Sequence, residues 1–113
     1  MPYYRTMQLK KYRWSKDYES AEEELVHFLA NKGIEAVRWS AEPGEAIAEK
    51  TTTASITLWC AEGSLTLTAH GRALSLQPGD TLDIPANTTY SALAGINGCG
   101  CYEAATPASP IGA

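Results

Sequence analysis

Three cysteines and two histidines hold most of the reactive chemistry available to this chain of 113 residues, and their spacing restricts what it can be. Cys99 and Cys101 form a C-x-C pair, while Cys60 lies alone in an apolar stretch. One C-x-C supplies two thiolates, whereas a structural zinc takes four ligands. An odd number of cysteines also speaks against a secreted disulfide framework. The pattern predicts reduced, buried thiols in a cytoplasmic protein. His27 stands alone on a helical stretch, which predicts a structural place for it, and His70 precedes Gly71 in a turn signal.

Charge is unevenly placed along the chain. The net charge is −4, which disfavours general nucleic-acid binding. Yet Arg5, Lys10, Lys11, Arg13 and Lys16 all precede the first acid, Asp17, and alternate with Tyr3, Tyr4, Tyr12 and Trp14. Such an arm has the ingredients for stacking on bases and pairing with phosphates. Charge runs more often face water while interleaved aromatics pack, so no nucleic-acid partner is expected. The longest apolar run falls far short of the ~20 residues that span a bilayer. Met1 to Lys16 lacks the apolar centre of a signal peptide. The expectation is a soluble cytoplasmic protein with no membrane partner.

The elements that must position these residues follow from periodicity. Ser20 as N-cap and Glu23 three residues on form a capping box. Glu22, Glu23 and Glu24 suit the positive end of a helix dipole. Leu25, Phe28 and Leu29 make an apolar stripe, and Gly33 supplies the stop. The helix is predicted from Ala21 to Lys32. Beyond Gly33 the period becomes two. Val37 and Trp39 alternate with Arg38 and Ser40; Ile56, Leu58 and Cys60 alternate with Thr57, Trp59 and Ala61. Leu65, Leu67 and Ala69 continue the alternation after an expected turn at Glu62-Gly63, and Leu74 and Leu76 follow an expected hairpin at His70-Gly71. Pro43-Gly44 and Pro78-Gly79 mark further turns. Six or more short strands at this spacing predict an antiparallel barrel or sandwich. One domain is expected: an extended arm over residues 1–17, a helix over 18–33, a barrel over 34–104 and a flexible tail over 105–113. Trp39 and Trp59 are expected on an exposed face, which together with the tyrosine-rich arm predicts a homodimer.

Gly44 to about Ala94 resembles the two motifs of the cupin superfamily, in particular its small single-domain microbial members of the cupin type-2 kind. The first motif, G-x5-H-x-H-x3/4-E-x6-G, opens on Gly44 and closes on Gly63, so its three ligand positions fall on Lys50, Thr52 and Ile56. The second, G-x5-P-x-G-x2-H-x3-N, matches at Gly79 and Pro85, with Asn87 for its second glycine, Tyr90 for its histidine and Ala94 for its asparagine. Ser64 to Pro78 is a short spacer of the kind that small microbial cupins have. The resemblance implies a mainly β fold, a double-stranded β-helix or jelly-roll barrel, with one N-terminal α-helix beside it.

The same resemblance implies that the metal-ligand residues are replaced. Cupin metals take imidazole and carboxylate donors. Isoleucine offers none, threonine is a poor ligand, lysine is a cation, and one tyrosine does not build a site. The neighbouring residues Glu49, Thr51 and Thr53 give one carboxylate and no imidazole, which is no better. No metal or other cofactor is therefore expected. The inward candidates for a ligand pocket are Lys50, Thr52, Ile56, Cys60 and Tyr90, a largely apolar wall with a phenol, a thiol and an ammonium. The reading is a metal-free barrel that binds a small organic ligand or acts as an accessory module. The alternative is a small cupin enzyme of isomerase, lyase or oxygenase type with a non-standard or metal-dependent site. Imine formation at Lys50 or attack by Cys60 would need a neighbouring base, and neither histidine is placed to supply it.

Overall fold

The computed structural model describes Lys10–Arg13 and Ala21–Ala105. Seven strands and one helix follow in the order β1 (Lys10–Arg13), α1 (Ala21–Lys32), β2 (Val37–Ala41), β3 (Ala46–Thr51), β4 (Ile56–Ala69), β5 (Arg72–Leu76), β6 (Asp80–Ile84) and β7 (Thr89–Ala105). Every strand pairing is antiparallel. The fold is mainly β, a jelly-roll barrel with the helix outside it. No helix among the described residues is long and apolar enough to cross a membrane.

Two long strands organise the barrel. β4 and β7 pair along nearly their whole length, from Ile56↔Ala105 to Ala69↔Tyr90. The first half of β4 also pairs with β6, which carries β1 on its far edge. The second half pairs with β5. β7 pairs with β2 along Cys99–Glu103 and with β3 along Thr89–Leu93. Each long strand thus pairs along one side with the other and along its opposite side with two short strands in succession, and it bends between its two halves.

That bend corrects one expectation. Glu62-Gly63 does not reverse the chain: β4 runs straight through it with register shifts between Cys60 and Glu62 and between Gly63 and Leu65. Gly63 has φ of +68°, and a Cβ there would fall on the carbonyl oxygen of Gly98. Only glycine lets the two backbones approach this closely. His70-Gly71, in contrast, is a tight hairpin turn as expected. Both residues have positive φ, +53° and +74°, the type I′ geometry that matches strand twist.

The helix has its predicted bounds. Its end is a Schellman motif: Ile34 N–H donates to Leu29 O, Gly33 N–H to Ala30 O, and Gly33 has φ of +69°. Ser20, the expected N-cap, lies outside the described residues, as do residues 1–9, 14–19 and 106–113 of the expected arm and tail. Ala105, placed by sequence at the start of the tail, is the last residue of β7. Lys10–Arg13 of the arm adds to the barrel as β1, and Lys11 reaches Asp80 at 3.6 Å.

Burial separates two cores. Inside the barrel lie Leu58, Cys60, Leu65, Leu67, Leu76, Leu82 and Ile84. Outside it, Leu25 and Leu29 of α1 pack on Trp59, Ala61 and Ala104. The strand residues that alternation directs away from the barrel are therefore covered by the helix. Trp59 is 5% exposed, and Trp39 is half-buried against the barrel core, so neither presents the exposed aromatic face from which a homodimer was expected. Phe28, expected in the helix stripe, is instead 41% exposed with the Lys32 ammonium 6.0 Å from its ring. One leucine per turn, Leu25 and then Leu29, makes the buried contact of the helix.

Candidate functional site

β2 and β3 pair with opposite halves of β7 and not with each other, which leaves a cleft between them. A cavity of about 150 Å³ opens there. Its walls are Trp39, Ser40 and Ala41 from β2, Ile47 and Lys50 from β3, Leu58, Leu65 and Leu67 from β4, and Tyr90, Ala92 and Glu103 from β7, with Glu45 from the turn before β3. A shallower depression of about 270 Å³ lies at the mouth, lined by residues 51–54, Ile56 and Ala105 and sharing Lys50, Tyr90 and Glu103 with the inner cavity. These three polar side chains therefore stand where the mouth meets the interior.

A bulge decides which residue of β3 joins them. Ile47 pairs with Ala92 and Lys50 with Tyr90, so one extra residue is accommodated between Ile47 and Lys50. Strict alternation from Ile47 would turn Glu49 inward and Lys50 out. The bulge resets the phase and brings both Ile47 and Lys50 to the cavity. The Lys50 ammonium then lies 5.6 Å from the centre of the Tyr90 ring. Tyr90 is 4% exposed, and burial pushes its phenol pKa up, partly offset by the charge of Lys50 and a hydrogen bond with it.

The second motif builds the other side. Asn87 holds φ of +63°, the left-handed conformation its family position calls for. Thr52 Oγ1 donates to Pro85 O at 2.8 Å and accepts from Thr88 N–H at 3.0 Å. Thr52 N–H and Asn87 N–H add reciprocal backbone bonds, to Thr88 O and Thr52 O. Thr52 is thus a staple between two loops, with its hydroxyl committed to backbone.

Of the five pocket residues expected from sequence, Lys50, Thr52, Ile56 and Tyr90 line one depression. Cys60 does not join them. It is fully buried, with Sγ near Leu76 O at 3.7 Å and Glu62 O at 3.8 Å, and it faces Cys101 across the strand pair. Cys99 and Cys101 complete a buried cluster of free thiols. A hydrogen bond from Cys101 pulls Cys99 down to about 7, while bonds with Cys60 and Cys99, and burial, push Cys101 up. Glu103, Glu45 and Trp39 were missed as cavity residues. Glu103 had a signal: it continues the inward alternation of Cys99 and Cys101. Trp39 Nε1 is buried without a hydrogen-bond partner.

The four motif positions do not fit a metal. They offer an ammonium, a hydroxyl already bonded to backbone, an alkyl group and a phenol with the Lys50 ammonium beside its ring. Among the described residues, no three His, Cys, Asp or Glu side chains are grouped to hold an ion.

Solved structures share this arrangement of strands. A DUF861 family protein from Thermotoga maritima aligns over 88% of this chain and 100% of its own, with a TM-score of 0.64 and 14% identity. A cupin superfamily protein from Desulfitobacterium hafniense aligns over 87% of this chain and 76% of its own, with a TM-score of 0.58 and 16% identity. The chain has the cupin fold. KdgF from a Halomonas species agrees, over 67% of this chain and 71% of its own, with a TM-score of 0.55 and 17% identity. No protein-family model matches the chain, and no curated protein matches it. At these identities the likeness concerns the cupin fold alone, and the chemistry of the cleft has to be read from its own residues.

Proposed function

We propose that this cupin barrel binds a small organic molecule in the cleft between β2 and β3, without a metal, and works as a ligand-binding or accessory module. The observation that carries the reading is the composition of the cleft: an apolar wall with Lys50, Tyr90 and Glu103 gathered at the point where the mouth meets the interior. Apolar lining with a few convergent polar groups is the usual make-up of a small-molecule site. A volume of about 150 Å³ suits a guest of benzene size or slightly larger. A fragment screen by ligand-detected NMR, followed by thermal melting, tests this. Binders should raise the melting temperature of the native protein and lose that effect in Lys50→Met and Tyr90→Phe. Fragments that stabilise both variants as well as the native chain would place binding elsewhere and overturn the proposal.

A further inference from the structure

We propose that the molecule accepted by this cleft is amphoteric, with an anionic oxygen for Lys50 and Tyr90 and a protonated amine for Glu103; this builds on the ligand-binding reading above. The observation behind it is a pair of opposite charges in one cavity wall that form no ion pair with each other, while the third charged group of the cavity, Glu45, already accepts from Glu42 N–H at 2.8 Å. Lys50 and Glu103 line both the inner cavity and its mouth. The ion pairs of the described residues are Lys11–Asp80, Arg38–Glu22 and Arg38–Glu62, and involve neither. The Glu103 carboxylate makes no side-chain hydrogen bond among the described residues, and the Lys50 ammonium lies 5.6 Å from the centre of the Tyr90 ring.

The donors and acceptors then sort themselves. An ammonium only donates, and a carboxylate only accepts. With the Lys50 ammonium beside its ring, the Tyr90 hydroxyl keeps its own hydrogen, which can point at a guest. Burial keeps that phenol protonated, so it stays a donor. Lys50 and Tyr90 together call for an oxygen anion, and Glu103 calls for a cationic N–H. A guest with charge of one sign would shield the opposite wall charge from water and leave it unpaired, which is costly. A guest with both signs meets each. Ile47, Leu58 and Leu67 form the apolar wall between these groups and suit a short aliphatic body. The class of ligand is a small amino acid or a similar zwitterion of about six to nine non-hydrogen atoms.

Four probes built on the same isobutyl unit separate the contributions: L-valine, 3-methylbutanoate (which lacks the amine), isobutylamine (which lacks the carboxylate) and 3-methylbutanol (which carries no charge). Calorimetry and ligand-detected NMR on the full chain near neutral pH give the four affinities. L-Valine should bind about tenfold more tightly than either singly charged probe. Glu103→Gln should bring valine down to the level of 3-methylbutanoate or below, and should strengthen 3-methylbutanoate, which then leaves no wall carboxylate unpaired. Lys50→Met should bring it down to the level of isobutylamine. A circular dichroism spectrum for each variant confirms that the barrel is intact. Equal affinity for valine and a singly charged probe, or a valine affinity indifferent to Glu103→Gln, overturns the amphoteric assignment and leaves the cleft as a binding site. No binding of any probe to the folded protein at about 10 mM overturns the cleft reading and this assignment with it.

Discussion

Thr52 and Tyr90 occupy equivalent-looking places in the sequence motifs, yet their roles differ, and a pair of substitutions separates them. Thr52→Val removes the hydroxyl that accepts from Thr88 N–H and donates to Pro85 O. It strands a buried donor and should cost about 1–3 kcal/mol in urea unfolding, with no ligand needed to see it. Tyr90→Phe takes a hydroxyl from Lys50, whose ammonium is solvated at the mouth of the cleft. Its cost to the unliganded protein should stay below about 1 kcal/mol, and the loss should appear in ligand affinity. A large stability loss for Tyr90→Phe would show that the phenol is structural. The phenols also set an alkaline limb. Tyr90 and Tyr102 both have folded pKa values raised above the ordinary 10.0, chiefly by burial. The unfolded chain releases these protons first, so the phenols' contribution is intact below about pH 10 and is lost as pH rises beyond it. The double variant Tyr90→Phe, Tyr102→Phe should flatten that fall; an unchanged slope in pH-dependent urea unfolding would assign it to other groups.

Element-scale geometry rests on two glycines with similar dihedral angles and different surroundings. Gly63 and Gly71 have φ of +68° and +74°. At Gly71 nothing lies within 4 Å of an added Cβ, so Gly71→Ala bears only the left-handed backbone penalty of about 1–2 kcal/mol. At Gly63 the same Cβ meets Gly98 backbone, where β4 and β7 turn from one sheet to the other. Gly63→Ala should therefore cost clearly more than Gly71→Ala, and the difference between their urea midpoints measures the close approach. Equal midpoints would mean that the bend yields easily. The helix is held to the sheet by Leu25 and Leu29 on Trp59, and by a polar clasp above them. Glu22 accepts from Arg38 Nε at 2.7 Å and from the Tyr102 hydroxyl at 2.8 Å. Arg38 holds the Glu22 carboxyl below its ordinary range, although the exposure of both side chains limits the energetic worth of the pair.

Across the whole molecule, protection should follow strand position. β4 and β7 have partners on both sides, whereas β2, β3 and β5 each have one strand neighbour among the described residues. Hydrogen exchange should be slowest in β4 and β7, and the cleft-lining edges β2 and β3 should open first. The thiols report the same hierarchy. Cys60 and Cys101 are fully buried and Cys99 is 4% exposed. A bulky disulfide reagent should therefore modify none of them at a bimolecular rate. Cys99, which faces the edge strand β2 and has its pKa drawn to about 7, should react first, at the rate at which that edge opens. Rapid modification of all three in the folded protein would contradict the buried cluster.

The amino-acid sequence by itself determined the features governed by local backbone chemistry. Gly33 ends the helix because a glycine accepts the left-handed cap. His70-Gly71 makes a two-residue hairpin, and Asn87 takes the positive φ of its motif position. Alternation from Val37 onward implied a barrel, and the cupin spacing placed Lys50, Thr52, Ile56 and Tyr90 around one depression. Tertiary structure decided the rest. Periodicity says that Trp59 faces opposite to Leu58 and Cys60, but only the docked helix buries that face. A bulge in β3 selects Lys50 over Glu49 for the cleft, and a bulge depends on the partner strand's register. Glu62-Gly63 has the composition of a turn and becomes a bend, because β7 continues alongside and supplies hydrogen bonds through it. Glu103 enters the site because β2 and β3 part on either half of β7, an opening that no short stretch of sequence encodes.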